Sequence, residues 1–295
     1  MKPGAVAICG DFLNIVESII LGIVQGITEF LPISSTGHLT LAGKAMGLIS
    51  ESHPERWTSF IAVIQLGTLA SVLIYFREDI KNILAAFIRE NASELRCYRE
   101  QSLYSRLGWL IIIGTLPVVV IGLLFKHQIE GVFTKNLYVI AGSLIALALL
   151  LAVAEKVASH KKEISEVGWI DALVVGVAQA FALIPGSSRS GTTLTGGLFM
   201  GMNRETAARF SFLLSIPAIF ASGLLELYEA LKIGIDSTGA VNYVVATVVS
   251  GISGYCAIDF LLKYLRKNTT FLFVYYRIAL GALILGLLAT GRIVP

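Results

Sequence analysis

Glu17, Gly22 and Gln25 lead into Pro32-Ile33-Ser34-Ser35-Thr36-Gly37-His38, and Asp171, Gly176 and Gln179 lead into Pro185-Gly186-Ser187-Ser188-Arg189-Ser190-Gly191. In both stretches glycine follows the acid by five residues and glutamine by eight, and a Pro-x-Ser-Ser turn comes six or seven residues after the glutamine. The chain therefore reads as an internal duplication. Each turn interrupts an apolar stretch and gathers that stretch's polar residues. A duplicated membrane protein with broken helices keeps its site where the copies meet.

With 55% hydrophobic and only 15% charged residues over 295 positions, the composition is that of an integral membrane protein. Nearly uncharged runs recur from Trp57 to Tyr75, Leu107 to Phe125, Leu137 to Ala154, Phe210 to Leu227, Val241 to Leu262 and Phe271 to Thr290. Each is long enough to cross the ~30 Å hydrocarbon layer as a helix. Continuous apolar runs exclude the alternating pattern of a barrel, so the expected fold is all-α and polytopic. Asp11, Asn14 and Glu17 interrupt the first apolar stretch after Lys2, so no signal peptide is expected. Cys9, Cys97 and Cys256 have neither disulfide nor zinc spacing, and a net charge of +3 carried in loops does not point to nucleic acid.

The arms beside the two turns are short. The stretch from Ser35 to Leu48 provides ~20 Å of helix, less than a full crossing, which favours re-entrant hairpins whose turns line a wet cavity. Threading six spans places fourteen Lys/Arg on one side and seven on the other, so the first side is cytoplasmic and both termini lie outside. Three spans separate the hairpins, which gives the copies inverted topology. The expected organisation is one membrane domain over 1–295. It holds two inverted repeats, about 11–160 and 165–292, each a re-entrant hairpin plus three transmembrane helices. The alternating charges between Glu78 and Arg106 read as a solvated cytoplasmic segment.

One turn offers Glu29, Ser34, Ser35, Thr36 and His38; the other offers Ser187, Ser188, Arg189, Ser190, Thr192 and Thr193. Ionisable groups at membrane depth are candidates for function, whereas Ser34 and Ser187 also suit helix capping. Helix N-termini inside the membrane present free N–H groups and a positive dipole end to an anion, and Arg189 adds a fork for two phosphate oxygens. Gln25 and Glu29, four residues apart, approach the same cavity. A serine near a histidine, with an acid and an arginine, supplies a nucleophile, a proton carrier, an orienting group and a charge clamp. Arg277, in the last span, is expected to pair with a carboxylate such as Glu226 or Asp259, or to snorkel. A transporter or flippase for a lipid phosphate or small anion is the alternative, because inverted repeats with broken helices also build transporters.

Gln25-Gly26-Ile27-Thr28-Glu29-Phe30-Leu31-Pro32-Ile33-Ser34-Ser35-Thr36-Gly37-His38 resembles the first motif of the undecaprenyl-diphosphate phosphatases, the bacitracin-resistance phosphatases of bacterial cell-wall synthesis. Pro185 to Gly191, followed by Thr193, resembles the second, and Tyr276-Arg277 also fits. The resemblance implies a multi-pass enzyme of the bacterial cytoplasmic membrane. It would convert the C55 prenyl diphosphate to the monophosphate carrier in a cavity open to the outside. It implies Glu29, Ser35, His38 and Arg189 as catalytic residues, with Ser35 and His38 both open as nucleophile. Gln25, Ser34, Thr36, Ser187, Ser188, Ser190 and Thr193 are the candidate substrate ligands. A divalent cation, Mg2+ or Ca2+, is implied by the family alone, with Glu29 its candidate ligand. Gln25 stands where the family pattern allows Glu or Gln, and an amide is the weaker hard-cation ligand. The histidine-nucleophile lipid phosphatases fit less well, since no histidine follows Ser188-Arg189 at short distance.

Overall fold

The computed structural model describes residues 13–49, 54–125, 136–233 and 237–293. The expectations resting on Lys2, Cys9 and Asp11 lie outside them. Among the described residues eleven α-helices follow one another: α1 Ile15–Phe30, α2 Ser35–Ala45, α3 Pro54–Tyr75, α4 Arg77–Ile88, α5 Leu103–Leu124, α6 Leu137–Val157, α7 Trp169–Ala180, α8 Arg189–Phe199, α9 Arg204–Ile233, α10 Ser237–Leu265 and α11 Phe271–Ala289. Among the described residues no strand forms, apart from an isolated bridge between Lys162 and Met202.

Six of these helices carry stretches long and apolar enough to cross a membrane: Trp57–Tyr75, Leu103–Leu124, Leu137–Val157, Arg204–Leu225, Gly239–Leu265 and Phe271–Ala289. They coincide with the six expected spans, extended at some ends by a turn. The protein is an all-helical, multi-pass membrane protein. Its outer faces agree: Ile15, Ile19, Ile23 and Ile27 form an exposed row along α1, a surface suited to lipid. α2 and α8, at 11 residues each, reach only about 16 Å.

The repeated acids are helix caps. Glu17 accepts from the Asn14 N–H while Asn14 accepts from the Glu17 N–H, at 2.8 and 2.9 Å, closing a capping box at the start of α1. Asp171 likewise reaches back to the Gly168 N–H at 2.7 Å at the start of α7 and also holds Lys162 at 2.8 Å. The repeated glycines are contact points. A Cβ on Gly22 would lie 2.6 Å from the Ala246 carbonyl oxygen of α10, and one on Gly176 would strike the Gly114 backbone of α5. Thus α1 packs on α10 and α7 on α5, while α3 packs on both α9 and α10, α5 on α9, and α6 on α11 and α8. Phe30 meets Phe212 edge-on at 5.3 Å in the main buried cluster, so the end of the first arm is pinned against α9.

Charged ties collect in the connections. Arg209 donates to both oxygens of Asp79 at 2.6 Å, and Arg266 donates to Glu205 at 2.6 Å. Glu155 is buried and accepts from Arg204 and, at 2.9 Å, from Thr270. The segment expected to be solvated between Glu78 and Arg106 is more ordered than its charges suggested. Glu90 is fully buried in a π-turn, Arg89–Ser93, and accepts from the Ser102 N–H at 2.8 Å. Its hydrogen bonds from Ser102 hold its carboxyl below the usual carboxylate range.

Because backbone faces it, Gly176→Val should destabilise the protein by roughly 1–3 kcal/mol or abolish folding. Gly286→Ala, with nothing within 4 Å of the new methyl, should be neutral or slightly stabilising. Thermal unfolding of the purified protein in detergent checks both. Equal midpoints for the two variants would contradict the tight α5–α7 contact.

Candidate active site

Both turns end in a serine held at positive φ. Ser34 has φ 77° and ψ 99°, and Ser188 has φ 68° and ψ 110°. Non-glycine residues rarely adopt this conformation, and it is retained where surrounding structure enforces it. Each serine caps the helix that follows, accepting from the N–H three residues on: Gly37 to Ser34 and Gly191 to Ser188, both at 3.2 Å. The cap in the second copy is therefore Ser188, one residue beyond the expected Ser187. The reason lies upstream, where α7 ends in a 3₁₀ turn, Phe181–Leu183, and the proline comes one residue earlier relative to the glutamine. Counted to the cap, the copies agree, since each serine follows its acid by seventeen residues and its glutamine by nine.

The two turns meet. Arg189, first residue of α8, donates to Glu29 Oε1 at 2.6 Å across a separation of 160 residues, and Ser190 Oγ donates to the Leu31 carbonyl at 3.0 Å. Glu29, only 6% exposed, also accepts at Oε2 from Ser35 Oγ at 2.7 Å and from Gln25 Nε2 at 3.0 Å. One carboxylate thus gathers the arginine, the serine and the amide.

His38 stands apart from that network. Its Nδ1 is 2.7 Å from the Ser34 carbonyl, which can only accept, so this nitrogen carries the proton. In the neutral ring Nε2 is then the acceptor of the Tyr276 hydroxyl at 2.6 Å, and the two rings stack at 5.6 Å. Ser35 is hydrogen-bonded to Glu29 and both ring nitrogens of His38 are engaged elsewhere, so the serine–histidine pairing suggested by their proximity in sequence is replaced by a serine–glutamate pairing.

Arg277 corrects a second expectation. It is fully buried, and its Nη2 donates to the Ser187 carbonyl at 2.8 Å, while Nε and Nη1 have no partner among the described residues. Asp259 is taken by Lys263 at 2.7 Å and Tyr75 at 3.3 Å, and the Glu226 side chain lies outside the described residues. Consecutive residues of α11 therefore hold the two turns: Tyr276 touches the first and Arg277 the second. Ser143 of α6 adds a hydrogen bond to the Pro185 carbonyl.

A cavity of about 480 Å³ opens over the junction. Glu29, Ser34, Ser35 and Thr36 line it from the first turn, and Gln179, Ser187, Ser188 and Arg189 from the second. Gln65 of α3 also reaches it, and Val118, Val119 and Leu123 of α5 with Ile219 and Leu225 of α9 form an apolar flank. Thr193 faces away: its hydroxyl donates to the Arg189 carbonyl at 2.7 Å and shares a 2.5 Å hydrogen bond with Ser211. Gln65 and Gln179 were not among the expected ligands. An amide inside an apolar span is the signal that marks Gln65, and the repeat spacing marks Gln179.

The positive ends of α2 and α8, Arg189 and Arg277, which meets no carboxylate among the described residues, give this junction an excess of positive charge over the Glu29 carboxylate, so it suits an anion with several oxygens. A family model described as bacitracin resistance protein BacA matches residues 18–283. The chain belongs to this bacitracin resistance family. Among its relatives, a protein named undecaprenyl-diphosphatase from Syntrophobacter fumaroxidans is 56% identical over 276 residues, covering 92% of this chain and 97% of its own length. Proteins of the same name from Chlorobaculum tepidum and Myxococcus xanthus are 47% and 50% identical, over 96% of this chain and 100% and 92% of theirs. The family match spans both turns and the Tyr276-Arg277 pair that braces them.

Because two parallel N–H groups fit a phosphate and a point charge does not, Arg189→Lys should recover only part of the activity lost in Arg189→Ala. Ser35→Ala should lower turnover roughly 10²- to 10⁴-fold with a smaller change in KM, the pattern of a group acting in the transition state. Steady-state kinetics on folded variants tests both; wild-type turnover in Ser35→Ala would remove the serine from the chemistry.

Proposed function

We propose that this protein is an integral membrane phosphatase that hydrolyses undecaprenyl diphosphate to undecaprenyl phosphate and inorganic phosphate, returning the lipid carrier to cell-wall synthesis. The observation that carries the reading is Glu29, which holds Ser35 and Arg189 at the meeting point of two helix N-termini, inside a cavity with an apolar flank. A diphosphate cannot enter bare hydrocarbon and a C55 chain cannot leave it. A polar junction that opens sideways toward lipid accommodates both, with Val119, Leu123 and Leu225 along the path of the chain.

In this mechanism the terminal phosphoryl group takes Arg189 from Glu29 and settles on the N–H groups at the starts of α2 and α8. Glu29 Oε2, already the acceptor of the Ser35 proton, takes that proton as Ser35 Oγ attacks phosphorus. The bond to the bridging oxygen breaks and the prenyl monophosphate leaves. The leaving monophosphate takes the proton from Glu29, and the carboxylate so restored deprotonates a water whose attack on phosphorus breaks the Ser35 Oγ–P bond, releasing inorganic phosphate as Oγ regains a proton. The His38–Tyr276 pair supplies a second proton-bearing couple beside the site.

A divalent cation fits the donor set in one way only. Among the described residues no group of three or more His, Cys, Asp or Glu side chains could cage a metal. Glu29 and Gln25 Oε1, which has no partner among the described residues, are hard oxygen donors that would hold a Mg2+ or Ca2+. Such an ion would neutralise phosphate charge.

We read the architecture as two repeats of inverted topology in one membrane domain, with α1, α2, α3, α5 and α6 matching α7, α8, α9, α10 and α11. Support comes from packing that keeps this exchange: α1 on α10 matches α7 on α5, α3 on α10 matches α9 on α5, and α3–α9 and α6–α11 each match themselves. The matched cap serines and the bias of loop charges add to it. The reading puts both termini outside the cytoplasm and opens the cavity outward. A transporter would need the helix ends and Arg189 but gives the Ser35–Glu29 bond no task.

Purified protein in detergent, with no gradient, should release phosphate from the C55 diphosphate; binding without release would favour the transporter. Leu123→Trp, narrowing the apolar flank, should raise KM for the C55 substrate more than for a short-chain prenyl diphosphate, and equal effects would misplace the chain's path.

Sidedness has its own test. In a background lacking Cys9 and Cys256, the exposed native Cys97 should react with an impermeant thiol reagent from the cytoplasm. Arg292→Cys, without Cys97, should react from outside, and Ser34→Cys with Ser187→Cys should be joined by a short bifunctional reagent. Labelling of Cys97 and Arg292→Cys from the same face would overturn the inverted arrangement.

A further inference from the structure

Gln179 is 1% exposed, lines the cavity, and has no hydrogen-bond partner among the described residues at either Nε2 or Oε1. A buried primary amide with all its polar atoms unengaged is costly unless a ligand satisfies it. Its counterpart shows why it is free. Gln25, nine residues before its own cap serine, has Nε2 bound to Glu29, four residues further along. In the second copy the residue four positions after Gln179 is Leu183. The duplication kept the amide and lost its carboxylate.

A second unengaged group lines the same cavity: the Ser187 hydroxyl, buried and without a partner among the described residues, whose own carbonyl is fixed by Arg277 at 2.8 Å. Two sets stand out among the cavity's polar groups. Glu29, Ser35 and Arg189 are bound to one another and belong to the phosphoryl group that is transferred. Gln179 and Ser187 are neutral donors with no partner among the described residues, on the stretch that also contributes Leu183 and Ile184 to the lining.

We propose that Gln179, assisted by the Ser187 hydroxyl, binds the phosphoryl group that remains on the prenyl chain. This assignment rests on the phosphatase reading and adds the second half of the diphosphate subsite. A neutral amide on the non-bridging oxygens suits this phosphate, whose phosphorus keeps all four of its bonds while the charge of the broken bond collects on the bridging oxygen, because it can hold those oxygens alike in substrate, transition state and product. Binding of that uniform kind sets KM and product affinity and leaves kcat alone.

The test compares Gln179→Met, which keeps length and removes the polar atoms, with Gln179→Glu, which adds a repelling charge. The measurements are kcat and KM for the C55 diphosphate, inhibition by the C55 monophosphate, and inhibition by inorganic phosphate. Loss of one hydrogen bond to a charged group should raise KM and the monophosphate inhibition constant together, by about tenfold to a hundredfold, with the glutamate variant worse. Turnover at saturation should stay within about threefold, and inorganic phosphate should inhibit as in wild type. A fall in kcat at unchanged KM would overturn the assignment, as would loss of inhibition by inorganic phosphate alone. Should Gln179→Met fail to fold, Gln179→Asn and Ser187→Ala carry the same expectation. Wild-type protein that releases no phosphate would remove the phosphatase reading itself; active wild type with unaltered variants would remove only the role of Gln179.

Discussion

The Arg189–Glu29 contact is the constraint on which the rest of the structure depends. A buried carboxylate and a guanidinium only partly open to the cavity are each expensive to remove from water, and their mutual attraction at 2.6 Å offsets that cost only while both stay in register. The register is set from outside the pair. Phe30 against Phe212 fixes the end of α1, and Arg277, Ser143 and the Ser188 cap fix the start of α8. Breaking either turn would leave one charge buried alone, so the two half-helices hold each other in place. In the proposed mechanism an arriving phosphate competes with Glu29 for Arg189, and that competition releases the carboxylate to act on Ser35.

The copies have divided their duties. In the register set by the cap serines, Glu29 corresponds to Leu183, Ser35 to Arg189, and His38 to Thr192. The first copy carries the acid, the hydroxyl and the imidazole; the second carries the cation and the unengaged amide. In the proposed mechanism the nucleophile comes from one turn and the anion clamp from the other. Polar ties at the far ends of the helices, such as Glu155 with Arg204 and Thr270, lie away from the cavity and brace α6, α9 and the start of α11. They fix the frame, and the junction does the chemistry.

Membrane solvation explains the shape of the site. Lipid cannot satisfy backbone groups, so a helix may break inside the bilayer only where protein or a wet cavity receives its free N–H groups. Two such breaks facing each other concentrate donors in one small volume, which is what a diphosphate needs. The close backbone contacts at Gly22 and Gly176 bring each hairpin against a long helix of the other copy. A cavity open at its flank can then take a head group while the chain stays in lipid.

Local chemistry was legible in the sequence. The six spans follow from uninterrupted apolar length, the broken hairpins from arms too short to cross, and the candidate residues from polar groups placed where lipid should not tolerate them. The paired acids read as repeat markers, and the resemblance pointed to Glu29, Ser35, His38 and Arg189. Partner choice was decided only in three dimensions. Ser35 faces Glu29 instead of the nearby His38 because residues three and four apart share a helix face, whereas the partner across a turn depends on how two arms dock. His38 instead meets Tyr276, 238 residues away, and Arg277 finds the Ser187 carbonyl instead of a carboxylate. The cap fell on Ser188 because a 3₁₀ turn shifted the second copy by one residue, and Thr193 turned toward Ser211 because its face of α8 packs on α9. Hydropathy and spacing act along the chain and survive in a string of letters; contacts between distant segments depend on packing of whole helices, which no local pattern encodes.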